Sequence, residues 1–376
     1  MTNACPAGRA HHAWRAHFVG GGLVGVMRAA GVLAMLGILF APSLRAQTAA
    51  KPWPIKVVIV TTFEPGEDTG DAVGEFQDWV EREPLNGTLP FPGGVHPIRY
   101  NATHDVLGIV TGMTLVNATA STMALGLDPR FDLTHAYWLV DGIAGVDPAD
   151  GTVGTAAWAN FAIGDVTRAI DSREAPAAWP YGLFAVGATA PNQYPAHVSV
   201  DNAYALNAGL TRWAFELTRD LKLPDNAAMV ANRKLWEPVA SQYPAAVKPP
   251  VVMIGDSYSG DTYWHGAVLT GAANDWVKMW THGQGNFVMT NMEDSGIAEA
   301  LTRLTRLGRA DYQRLMVLRV GSNFSQPAPG KTPVESVTTP YLKSTAFDIS
   351  WIVGSTVVHE LQKDWPKYEA TIPAGR

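Results

Sequence analysis

The clearest apolar run in the chain is residues 55–62 (IKVVIVTT), bounded by Pro54 and Glu64. A β-branched run with so little alternation predicts a strand buried on both faces, as in a parallel sheet. Residues 107–110 predict a second strand, closed by the Thr111-Gly112 turn, and small and apolar residues then recur at helical spacing over 115–125. Residues 136–140 (AYWLV) predict a third strand ending at Asp141-Gly142, and 153–163 a fourth. Asp201 stands where a helix cap would, ahead of Leu206, Leu210, Trp213 and Leu217 at spacings of three and four. Further strands are predicted at 251–254 and 315–320, with a helix over 293–307 between them. Phe347, Trp351, Gly354, Val358 and Leu361 form the apolar stripe of a last helix. This rhythm predicts an α/β fold: one large domain over 53–365, with a mostly parallel, twisted sheet flanked by helices. Within it, 171–250 reads as a long central insertion. Its segments 171–200 and 223–250, rich in Pro, Ala and Trp, are expected to run over the surface around the helix after Asp201.

Composition narrows the function. The 376 residues are 47% hydrophobic and 16% charged, ample for a large core. The net charge of −6 and the lack of a long basic run speak against nucleic acid as a partner. The single cysteine, Cys5, lies in an expected leader, so disulfides and thiolate chemistry are not expected in the mature chain. Arg28 precedes an uncharged run over 29–41, and Ala46 suits the last residue before cleavage, so 1–46 reads as an export signal. Residues 1–26 resemble an over-extended start, with Met27 as the alternative initiator. The run falls short of the roughly 20 residues of a spanning helix, and no later segment matches it. The mature chain is expected to be exported, periplasmic or secreted, with no membrane-spanning region. Scattered histidines without paired spacing give no metal site.

In open parallel sheets, ligands bind beyond the carboxyl ends of the strands. Four clusters fall at such ends: 62–68 (TFEPGED), 111–114 (TGMT), 141–145 (DGIAG) and Ser322-Asn323-Phe324. Together with later motifs they resemble the nucleoside phosphorylase and nucleosidase superfamily. Residues 108–166 resemble its core, with a Gly-containing ligand turn, a VNA helix start and a strand ending in G-x-A-G. Ser259-Gly260-Asp261-Thr262-Tyr263 resembles its S-G-D-x-aromatic motif, Asn291-Met292-Glu293 its x-M-E motif, and residues 318–323 (LRVGSN) its R-x-x-S-D motif with Asn in place of Asp. The wording TFEPGEDTGD and the central insert resemble the branch called purine nucleoside permeases.

The resemblance implies a purine nucleoside as ligand and a role for each matching residue. Tyr263 would stack on the purine, with the Trp264 backbone at the base edge. Met292 would floor the ribose, and Glu293 would accept from its 2′- and 3′-hydroxyls. Thr111, Gly112 and Thr114 would face the sugar and the attacking group. Ser322 and Asn323 would meet purine N7. Cleaving an N-glycosidic bond builds positive charge on ribose and negative charge on the base, so an acceptor near the sugar and a donor near N7 suit that chemistry. Asn323 donates a hydrogen bond without releasing a proton. The loop with Glu64, Glu67, Asp68 and Asp71 carries no Lys or Arg, which disfavours phosphate and points to water, with Glu64 as its base. Hydrolysis is therefore expected ahead of phosphorolysis. No cofactor is implied, and phosphate stays open as a co-substrate. A nucleoside binder serving uptake without cleavage, a scaffold that has lost its site, and a homo-oligomer are left open.

Overall fold

The computed structural model describes residues 51–339 and 345–375. The expected export signal, with its alternative start at Met27, lies outside them. Among the described residues twelve strands form the main sheet: β1 Val57–Thr61, β2 Gly87–Leu89, β3 Ile98–Tyr100, β4 Val106–Val110, β5 Tyr137–Val146, β6 Ala156–Trp158, β7 Phe161–Gly164, β8 Ala203–Ala205, β9 Val252–Ile254, β10 Asp256–Ser259, β11 Phe287–Asn291 and β12 Leu315–Phe324. The main path runs β8-β7-β10-β11-β5-β1-β4-β3-β2, while β12 joins β5 to β6 and β6 joins β9. β1 pairs in parallel with β4 and β5, and β5 with β12. Antiparallel ladders lie toward the edges at β2–β3, β3–β4 and β7–β8, and also inside the sheet at β5–β11 and β6–β12.

Alternation along β1 shows how the strand organises two cores. Val57 and Ile59 face one cluster, with α3 Ala208–Thr218 and α6 Ala346–Lys363. Val58 and Val60 face the other, with α2 Leu115–Gly126 and α5 Asp294–Arg306. Every residue of β1 is buried, so both faces of the sheet are covered and the run needs no polar alternation. A third cluster packs Trp276, Val277 and Trp280 of α4 Ala267–Trp280 on Tyr258 and Phe287.

Four expectations are corrected. The third strand does not stop at Asp141-Gly142. It runs on to Val146, because the buried Asp141 carboxylate accepts from Trp79 Nε1 and Ser350 Oγ. Gly142 belongs in that strand for a steric reason: a Cβ there would lie 2.4 Å from Glu75 Oε1 and 2.6 Å from Arg319 Nη1. The fourth strand is two strands, β6 and β7, broken at Asn160, where the Asn160 and Phe161 amides donate to Asp256 Oδ1 at 2.9 and 2.8 Å. The helix after Asp201 starts at Ala208 and is capped by Asn207, whose Oδ1 accepts from Gly209 and Leu210; residues 203–205 are instead the edge strand β8. The segment 223–250 is not all surface. Met229 and Trp236 are buried in the core with α6.

Candidate functional site

β12 also outruns its expected end at Val320, so Ser322 and Asn323 lie within the strand. The ladder to β5 shifts between Gly321 and Asn323 there. That shift, the second half of β5, the end of β11 and the loop after β1 bound a pocket of about 740 Å³. Thr62, Phe63, Pro65 and Val73 come from the loop, Ile143, Ala144 and Gly145 from β5, and Phe347 from α6. Tyr263 and Trp264 form another wall. Tyr263 stands half exposed, while Trp264 packs edge-on against Tyr258.

The expected residues divide into two groups. Tyr263, Trp264, Met292, Glu293, Ser322 and Asn323 line this pocket together. Thr111, Gly112 and Thr114 do not line it; of that turn only Met113 does. The turn is left-handed at Gly112 (φ +81) and at Thr114 (φ +84), an uncommon conformation for a β-branched residue. It brings the Thr114 amide to 3.4 Å from Glu293 Oε1. Asn323 Oδ1 accepts from Ser322 Oγ at 3.0 Å, and its amide donates to Phe324 O at 2.9 Å.

Glu64 does not line the pocket. Its Oε2 accepts from the Phe76 and Gln77 amides at 2.6 and 2.9 Å, at the start of α1 Gln77–Arg82, where the helix end favours an acceptor. Burial pushes its carboxyl up to about 7, against the pull of those amides. The pocket-lining carboxylate of this loop is Glu75. Its Oε2 accepts from the Thr62 amide, the Thr62 hydroxyl and the Phe63 amide, and its Oε1 from the Ile143 amide at 2.8 Å. The loop's acidity is also balanced in space: Asp68 pairs with Arg99 at 2.6 Å and His96 at 2.8 Å, partners that lie some thirty residues later. Asp71 accepts from the Glu67 amide within the turn.

Beneath the pocket, Arg319 is buried in β12 and contacts three carboxylates: Asp294 at 2.6 Å, Glu293 at 3.0 Å and Glu75 at 3.6 Å. Such a cluster holds the guanidinium charged. Burial nevertheless pushes Glu293 up to about 7, with Arg319 pulling the other way, and raises Glu75 as well. Arg319 Nη2 and the Met292 amide both donate to Glu293 Oε2, leaving Oε1 as its less occupied oxygen. Among the described residues, no Lys, Arg or His lines the pocket.

The sequence motifs give a role to neither Glu75 nor Arg319. Arg319 carried a usable signal, as a lone charge in an otherwise apolar strand; a buried charge requires partners. Glu75 carried none, because four carboxylates precede it in the same loop and only folding separates them.

The α/β fold is shared with solved structures. Futalosine hydrolase of Helicobacter pylori superposes with a TM-score of 0.51 at 14% identity, covering 82% of this chain and 98% of that one. A profile of the purine nucleoside permease (NUP) family matches residues 54–373, and the chain belongs to that family. A Candida albicans protein named purine nucleoside permease is 31% identical over 299 residues, 76% of this chain and 71% of its own length. A Schizosaccharomyces pombe protein named probable purine nucleoside permease is 28% identical over 279 residues, 71% of this chain and 79% of its own. Among the described residues, no helix is long and apolar enough to cross a membrane.

Proposed function

We propose that this chain binds a purine nucleoside in the 740 Å³ pocket and hydrolyses its N-glycosidic bond. The observation that carries the proposal is the joint placement of Met292, Glu293 and Asn323 on one cavity whose only ionisable lining side chains among the described residues, apart from Tyr263, are the carboxylates Glu75 and Glu293. Glu293 Oε1 takes the ribose hydroxyls, and the Asn323 amide turns to hold the departing base. Two carboxylates beside the sugar favour the positive charge that develops there. They disfavour phosphate, which finds no cation among the described lining residues. Glu75 replaces Glu64 as the carboxylate that orients water. Its Oε1 accepts one amide hydrogen and keeps a lone pair for a second donor. Burial makes it more basic than an ordinary glutamate.

A second reading, binding for uptake without cleavage, is favoured by one observation. Asn323 stands where an acid would release a proton, and an amide supplies only a hydrogen bond. Release of free base by the wild type and by Glu75→Gln separates the two. General-base assistance is worth about 10²–10⁴ in rate, so the variant should lose that much turnover and keep nucleoside affinity within a few-fold. Tight binding without base release in the wild type would favour uptake. Export belongs to the same proposal; secreted protein that begins near Gln47 on N-terminal sequencing supports it, and retention of 29–41 contradicts it.

A further inference from the structure

A smaller cavity of about 260 Å³ adjoins the main pocket, and Tyr263 and Asn323 line both. Its inner wall is apolar and formed by the buried Val153, Trp236 and Phe324. Lys331 and Glu335 are exposed, at its outer side. Three lining residues carry a buried polar atom without a hydrogen-bond partner: Trp236 Nε1, Asn232 Oδ1 and His265 Nε2. Trp236 is only 1% exposed, and a buried indole N–H ordinarily finds an acceptor. By contrast Gln326, in the same cavity, donates to Tyr243 Oη. The unmet demand is mixed, since the indole is a donor and the amide oxygen an acceptor. Burial holds His265 below its usual range, which leaves the imidazole neutral and able to take either role.

We infer that this annex is a subsite for a substituent on the N7/C6 edge of the purine, a short apolar chain ending in a hydroxyl. The inference rests on the reading of the main pocket as a purine nucleoside site, with Asn323 at N7. A group on C6 points along the same edge as N7, and Asn323 is shared by the two cavities. The chain would lie on Val153, Trp236 and Phe324. A hydroxyl both donates and accepts, so it can accept from Trp236 Nε1 while donating to Asn232 Oδ1 or His265 Nε2. An alkyl end of equal size would leave all three unpaired, which is the costlier state for a buried polar group.

The test is calorimetric titration of the full chain with adenosine, N6-pentyladenosine and N6-(4-hydroxybutyl)adenosine. The last two differ only by methyl against hydroxyl. The hydroxyl compound should bind about tenfold tighter than the pentyl compound, the scale of one well-placed hydrogen bond that relieves a buried unpaired group. In Trp236→Phe and in Asn232→Leu that preference should shrink toward unity. Equal binding of the two substituted nucleosides would overturn the inference, as would weaker binding of both than of adenosine. If none of the three binds, the nucleoside reading itself fails and the annex is judged alone. Titration with 1,4-butanediol should then move the indole N–H resonance that Trp236→Phe removes, and an unmoved resonance would overturn the subsite.

Discussion

Replacing Glu293 by Gln isolates the charge that the account places against the ribose. The residue is 4% exposed, and its side chain keeps its shape in the variant. Oε2 is held by the Arg319 guanidinium at 3.0 Å and the Met292 amide at 3.1 Å. Oε1 has only the long 3.4 Å contact from the Thr114 amide, so it is the oxygen free to accept from a diol. Hydrogen bonds to a charged acceptor contribute about 1.5–3 kcal/mol, against ~0.5–1.5 for neutral pairs. Losing the charge at two hydroxyls should therefore weaken inosine binding roughly ten- to hundredfold. The 2′-deoxynucleoside already lacks one partner, so its loss should be smaller, by roughly three- to tenfold. Calorimetry of wild type and Glu293→Gln with inosine and 2′-deoxyinosine gives the four affinities of the cycle. Equal losses for the two ligands would refute the contact and leave Glu293 as a counter-ion for Arg319.

Glu64→Ala should remove two bonds at the start of α1, costing about 1–2 kcal/mol of stability in a denaturant titration. It should leave nucleoside affinity within a few-fold; a collapse of affinity would return Glu64 to the site. Glu293 also makes binding depend on pH. With its carboxyl up to about 7, it is mostly neutral at pH 6 and charged at pH 8. Ribonucleoside affinity should rise roughly fivefold between those values, and the rise should vanish in Glu293→Gln. Stability moves the opposite way. A carboxyl raised by folding from 4.5 to about 7 contributes stability that is full below its unfolded value and is lost as pH rises through about 7. Asp141 and Asp256, pushed up to about 6 by burial, act in the same direction. The melting temperature should fall from pH 5 to pH 8, by less in Glu293→Gln.

The sequence was most legible where one physical demand dominated. The β-branched run around Val57–Thr61 reads as a doubly buried strand because it has no polar face to present. The helices Asp294–Arg306 and Ala346–Lys363 show themselves through apolar spacing. It was least legible where a polar residue ends a strand in most settings but finds a distant partner here. Asp141 is such a case: its partners Trp79 and Ser350 lie 62 and 209 residues away. The same limit decides the site. Met292, Glu293, Ser322 and Asn323 could be named from short motifs, and the fold brings all four to one pocket. The choice between Glu64 and Glu75 depends on how the loop folds back onto its own helix, and nothing in the local pattern marks it. Likewise Asp68 looked uncompensated because Arg99 and His96 belong to a later strand and its approach.

The central claim, that a nucleoside bound beside Glu75 and Glu293 is split by water, is tested most directly by identifying the sugar product. The chain, freed of residues 1–46, is incubated with inosine, guanosine and adenosine, with and without inorganic phosphate, and the products are separated by chromatography. The account predicts free purine and free ribose at a rate that phosphate leaves almost unchanged. A strict requirement for phosphate, with ribose 1-phosphate as the product, would contradict it.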